Sequence, residues 1–176
     1  MKKNSNLYLS SIEKEDMVYL YQWFADCDFL KYYDYMPPVP KNENEVNKTF
    51  NDYENKHEAK VYAIRLIENN QIIGVAGFDD IITENKVATL FIGIGSKELR
   101  GKGYGKETLK LLLNIGFCEL DFYRIQLNDI EFNYSAISLY ESIGFKKEGV
   151  FRKFVLRGDK RYNLYLYGLL KDEWKI

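Results

Sequence analysis

Histidine occurs once in the 176 residues, at position 57, and cysteine twice, at positions 27 and 118. One imidazole excludes a histidine-rich metal site, so any histidine chemistry would rest on His57 alone. Two thiols so far apart, with no CxxC pairing, build neither a disulfide framework nor a thiolate metal centre, and they suit a reducing compartment. All three prolines fall within "MPPVPK", residues 36–41, which marks a loop. A surplus of one charge sign is also missing, since the formal net charge is −1. A nucleic-acid binder that works by counterion release carries a strong basic surplus, and this chain has none. No apolar run reaches the length of a membrane span. The stretch "MKKNSNLYLSSIEKED" lacks the apolar segment of a secretory leader. The expectation is a cytoplasmic chain with no metal and no nucleic-acid or membrane partner.

What is present is core-forming material. Apolar residues make up 46% and aromatics 16%, led by fifteen Tyr and eleven Phe, a globular composition at a length suited to one domain over residues 1–176. "NLYLS" reads as a short strand. "SSIEKEDMVYLYQWFADCD" reads as a helix, with Ser10 or Ser11 as cap and Met17, Leu20, Tyr21 and Phe24 on one face. "NENEVNKTFNDYENK" reads as a polar helix. Strands follow in "KVYAIRLIENNQIIGVAGFDDII", which turns at Asn69-Asn70, and in "KVATLFIGIG". A glycine-rich loop and a long helix come next, then the strand "YRIQLNDIEF" and the helix "YSAISLYESIG" ending at Gly144. A hairpin turning at Gly158-Asp159 closes the chain. The order predicts a single α/β (α+β) domain with about seven strands and about four helices.

The stretch "LRGKGYGKETLKLLLNIGF", residues 99–117, carries the first chemical signal. It lacks the spacing of a P-loop, because Arg100 stands five before Gly105 and Glu107 follows Lys106. It also lacks the dinucleotide fingerprint, which needs glycine where Lys106 stands. What remains is Arg-Gly-Lys-Gly-Tyr-Gly between a strand and a helix. Glycines let backbone N–H groups close around an anion. The helix start adds unpaired donors and a positive dipole end, and Arg100, Lys102 and Lys106 add full charges. Leu109, Leu112, Leu113, Gly116, Phe117 and Leu120 give the following helix one broad apolar face.

A second motif, "NYSAISLYESIGFKKEG" at residues 133–149, makes the reading specific. Arg100, Gly103 and Gly105 followed by Asn133, Ala136, Leu139, Tyr140, Gly144 and Phe145 resemble the two signatures of the GNAT N-acetyltransferase family. "GVFRKFVLRGDKRYNLYLYGLLKDEW" is similar to the branch that contains ribosomal-protein and polyamine acetyltransferases. The resemblance implies a central, mostly antiparallel mixed sheet with one splayed strand pair. It also implies acetyl-CoA as acetyl donor, its pyrophosphate held at Arg100, Gly101, Lys102, Gly103, Tyr104, Gly105 and Lys106. Ile92, Gly93 and Ile94 would run beside the pantetheine arm, and Asn133 would hydrogen-bond it, although an asparagine there also suits a plain helix cap. Tyr140 would be the catalytic acid for the departing thiolate, in a direct attack by an amine.

The resemblance leaves the base open. Many relatives have a glutamate on the strand before the loop, where this chain has Thr89. Asp79, Asp80, Asp129 and Glu131 lie at neighbouring strand ends and are the alternatives; His57 falls in the polar segment before the first central strand. In "ADCDFLKYYDYMPPVPKNENE", Asp26, Asp28, Asp34, Glu43 and Glu45 outnumber Lys31 and Lys41, and Tyr32, Tyr33 and Tyr35 add aromatic faces suited to a cationic amine. Polyamine, aminosugar, antibiotic and protein N-terminus all fit that description. The alternative to an enzyme is a non-catalytic domain of the same fold that binds coenzyme A or a protein partner, toward which Thr89 leans. The apolar, tyrosine-rich final hairpin offers an edge on which a homodimer could form.

Overall fold

The computed structural model describes residues 5–175. Seven strands form one sheet: β1 (Leu7–Ser10), β2 (Lys60–Leu66), β3 (Ile72–Ile82), β4 (Val87–Ile94), β5 (Arg124–Ile130), β6 (Lys146–Arg157) and β7 (Lys160–Leu170). Their order across the sheet is β1-β2-β3-β4-β5-β7-β6. Every neighbouring pair is antiparallel except β4 and β5, which run parallel. Among the described residues no helix is long and apolar enough to cross a membrane.

Among the described residues five α-helices cover the sheet, where the sequence suggested about four: α1 (Met17–Phe24), α2 (Cys27–Tyr33), α3 (Glu43–Asn55), α4 (Tyr104–Asn114) and α5 (Tyr134–Ile143). The extra one arises because Asp26 interrupts the first helical run. Its backbone is extended and its side chain accepts from the Asp28 N–H at 2.9 Å, so it caps a new helix in a new direction. Nor does Ser10 or Ser11 cap α1. Ser10 lies in β1, and a 3-10 turn at Lys14–Asp16, boxed by Glu13 and Asp16, leads into the helix. Asn42 and Glu45 form the expected kind of capping box at α3. Asp16 also pairs with Arg65 of β2 at 2.5 Å, both side chains being buried, which pins the start of α1 to the sheet.

Side chains alternate across a strand, and β3 shows how this divides the core. Ala76 and Phe78 join the larger cluster, with Leu109, Leu112 and Leu113 of α4 and Ile125 and Leu127 of β5. Val75 joins the other, with Leu20 and Phe24 of α1, Phe29 of α2 and Phe50 of α3. The sheet is therefore sandwiched, α4 and α5 on one face and α1–α3 on the other.

The parallel pair positions the site. β4 and β5 are in register only at Val87 with Arg124, Ala88 with Ile125 and Thr89 with Gln126. Beyond Thr89 the ladder stops, although β4 continues to Ile94 and β5 to Ile130. The strands splay, leaving backbone groups on both lips free for a ligand.

Candidate active site

The splay opens into a cleft of about 720 Å³. β4 forms its floor from Leu90 to Ile94, Asn128 and Asp129 of β5 form the far lip, and Asn133, Leu139 and Tyr140 descend from α5. Phe29, Tyr32 and Tyr33 of α2 form the other wall together with Phe132. The cleft ends at Arg100, Gly101, Gly103, Gly105 and Lys106. Of the expected cofactor residues, Lys102 and Tyr104 do not line it. Lys102 is exposed, and the Tyr104 ring packs on the larger core.

The glycine end is shaped for an anion. Gly101 and Gly103 have φ of 75° and 91°, the left-handed region that side chains disfavour, and Gly103 is the N-cap of α4. The first helical bond of α4 runs from the Glu107 N–H to the Gly103 carbonyl at 3.1 Å. The N–H groups of Tyr104, Gly105 and Lys106 thus have no acceptor inside the helix, and they sit at its positive end. Arg100 does something different from the free charge expected of it. Its Nε donates to the Ile94 carbonyl at 2.9 Å and its Nη2 to the Gly95 carbonyl at 3.0 Å. The guanidinium also lies 5.8 Å from the Phe29 ring centre. It clamps the loop to the end of β4.

Asn133 is not a side-chain cap, although it occupies the N-cap position of α5. Its Nδ2 donates to both oxygens of Asp129, at 3.0 and 3.2 Å. With its donors spent there, its Oδ1 is the atom left for the cleft, an acceptor for an amide N–H. Asp129 also accepts from the Ile130 N–H at 2.7 Å. Burial drives its carboxyl up to about 7 against the pull of those hydrogen bonds. Tyr140 faces it. Burial first, and the Asp129 charge second, push the phenol far above its ordinary range, so it is a neutral O–H donor at any working pH.

The other carboxylates separate by partner. Glu131 accepts from both the backbone N–H and Nδ2 of Asn163, at 2.9 and 2.8 Å, and so fastens β7. Asp80 is exposed, with φ of 46°, at an irregularity between Asp79 and Ile82. Asp79 is half-buried and pairs in register with Thr89, and its Oδ1 is buried with no hydrogen-bond partner among the described residues. Burial, then Asp80, then Asp34 raise its carboxyl to about 6. His57 is exposed between α3 and β2, away from the cleft.

Phe29 and Phe132 were not singled out in the sequence, because nothing local distinguishes them from core aromatics. Phe29 stacks on Tyr33 at 4.9 Å between ring centres, and Phe132 meets Tyr32 edge-on at 5.7 Å.

Residues 6–146 match the family described as acetyltransferase (GNAT) domain. An uncharacterized N-acetyltransferase, p20, from Bacillus licheniformis is 29% identical over 96% of this chain and 94% of that protein. The spermidine N(1)-acetyltransferase of Escherichia coli K12 is 25% identical over 92% of this chain and 84% of that protein. A Vibrio cholerae spermidine N-acetyltransferase, solved with CoA and spermine, superposes with a TM-score of 0.88. It covers 97% of this chain and 98% of its own at 20% identity, a likeness of fold. The splayed β4–β5 pair, the glycine cradle at α4 and the match over residues 6–146 together place this chain in the GNAT acetyltransferase family.

Proposed function

We propose that this chain acetylates a primary amine of a linear polycation, a polyamine, with acetyl-CoA as donor. Acetyl transfer from acetyl-CoA to an amine is the reaction its family membership assigns; the acceptor and the residue roles are the new part. The residues fit the donor. The amides at the start of α4 and Lys106 would hold the pyrophosphate, Ile92, Gly93 and Ile94 would run beside the pantetheine, and Asn133 Oδ1 would accept its amide N–H. Bound there, acetyl-CoA supplies an acyl carbon open to attack by a neutral amine. Tyr140 would give its phenol proton to the leaving thiolate.

One observation carries the acceptor. On the α1–α3 side of the sheet, opposite α4 and α5, Asp34, Asp79 and Asp80 sit close enough to push the Tyr35 and Tyr53 phenols above their ordinary range beyond what burial does alone. Their negative charge lies beside the aromatic faces of Tyr33, Tyr35 and Tyr53, the chemistry that holds an ammonium by charge and by cation–π contact. Arg157 of β6 donates to the Asp34 and Tyr35 carbonyls, at 2.7 and 3.3 Å, and holds that segment in place. The relatives named for spermidine agree in chemistry with this acidic cluster.

Free-thiol release with acetyl-CoA and a panel of spermidine, spermine, an aminosugar and an N-terminal peptide tests the reading. The expected result is turnover on the polyamines, weakened by salt and by Asp34→Asn mainly through KM. Turnover on the aminosugar or peptide alone would overturn it.

A further inference from the structure

The sequence left four carboxylates to take the place of the glutamate missing at Thr89, and the fold distinguishes them. Asp129 has its oxygens committed to Asn133 and to the Ile130 N–H, on the α5 side. Glu131 is committed to Asn163. Asp80 is exposed and has no buried oxygen left without a partner. Of the four, Asp79 alone has a buried oxygen with no partner among the described residues.

Asp79 does not itself line the cleft; what ties it there is strand register. β3 and β4 are antiparallel, and Asp79 stands directly opposite Thr89. Residues opposite each other point to the same face, with Cβ atoms about 4.5–5.5 Å apart. Alternation from Val75, which packs among α1–α3, puts Asp79 and Thr89 on that face, opposite the α4 cradle. Thr89 is the last residue paired across the β4–β5 splay, so this point is the apex of the gap. A carboxylate missing from β4 is thus supplied from the strand beside it.

We infer that Asp79 is the general base of the transfer, taking the proton from the ammonium of the acceptor. This rests on the transferase reading above. The proton balance is complete without a further reagent. The Asp79 carboxylate removes one proton from the ammonium and releases it to water, and the nitrogen lone pair forms the C–N bond. The C–S bond breaks, the thiolate takes the phenol proton of Tyr140, and the second amine proton restores the phenol.

The surroundings suit a base that works near neutrality. Asp80 from β3 and Asp34 from the segment after α2 face Asp79 with like charge; Tyr33, Tyr35 and Tyr53 present neutral phenols from α2, its following loop and α3. Arg157 has its guanidinium on the Asp34 and Tyr35 carbonyls and feels Asp34. Burial and the two acids hold Asp79 near 6, so it is ionised at neutral pH yet basic enough to accept a proton.

The test is Asp79→Asn, which keeps the shape and removes a buried carboxylate, with Thr89→Glu added in the same background. Expected for Asp79→Asn is a kcat loss of about 10²–10⁴-fold with KM for acetyl-CoA unchanged. The acid limb of the pH profile near 6 should vanish, leaving a rate that climbs with the acceptor's own deprotonation. The added Thr89→Glu should restore part of the rate and a limb. Thermal melting with CoA keeps both variants interpretable, since a folded variant shifts as the unmodified chain does. Full kcat and an intact limb in Asp79→Asn overturn the base while leaving the transferase standing. Absence of thiol release from the unmodified chain with every amine overturns both.

Discussion

Tyr140→Phe is the change that isolates chemistry from packing. The ring is 8% exposed, meets Phe145 edge-on at 5.9 Å, and tilts against Tyr167 at 6.5 Å. Its hydroxyl makes no hydrogen bond among the described residues and the residue lines the cleft, so deleting the hydroxyl leaves no orphaned partner. Stability should move by less than about 1 kcal/mol. The catalytic loss should be far larger. General-acid help of about 10²–10⁴-fold corresponds to about 3–5 kcal/mol of barrier, at about 1.4 kcal/mol per tenfold. Thiol release at saturating acetyl-CoA and polyamine measures the first quantity, and urea unfolding in the same buffer measures the second. A folded Tyr140→Phe chain with undiminished kcat would refute the role given to this phenol. A large drop in both quantities would refute the argument that the hydroxyl is unpartnered.

Gly95→Ala should cost about 1–3 kcal/mol in urea unfolding, because the added Cβ would lie 2.0 Å from the Trp23 ring and must push α1 off the end of β4. Thr108→Val should stabilise by about 1 kcal/mol, since the Thr108 Oγ1 in α4 is buried without a partner and valine keeps the shape. Asp129 makes stability fall as pH rises: its folded value near 7 lies above the ordinary 3.8, so the folded chain holds a proton that the unfolded chain has released. Between about pH 4 and 7 this group should remove up to about 4 kcal/mol, and Asp129→Asn should flatten that part of a pH series of unfolding midpoints.

Local chemistry was legible in the sequence and tertiary chemistry was not. The glycine loop, the Gly144 helix end and the hairpin turn at Gly158-Asp159 each depend on residues adjacent in the chain, and the structure has them where the spacing put them. The break at Asp26 was missed because the apolar periodicity runs through it, and only the side-chain bond to the Asp28 N–H shows that the helix restarts. Asn133 fits a cap equally well on sequence grounds; what decides against it is Asp129, four residues back on a strand. Arg100 looked like a phosphate ligand because charge is all that sequence reports, whereas two carbonyls at the end of β4 claim its guanidinium. Choosing among Asp79, Asp80, Asp129 and Glu131 required knowing which oxygen lacks a partner, and no periodicity carries that information.

On the proposed reading, the cluster of Asp34, Asp79 and Asp80 has two tasks that pull against each other. Asp34 and Asp80 attract the cation, and the same two charges raise Asp79 and make it a better base. An ammonium resting between them would cancel their field and lower Asp79 again. Burial is the largest cause of the rise, however, and it does not depend on those charges, so that part of the basicity survives binding. A polyamine does not restore the part owed to the charges, but it brings a second ammonium, so that one lies against Asp34 and Asp80 while another meets Asp79. A monoamine has to choose between the site that binds it and the site that deprotonates it. Selectivity for a polycation therefore follows from the charge layout itself, and it should appear in kcat as well as in KM: an alkyl monoamine at saturation should still turn over more slowly than spermidine.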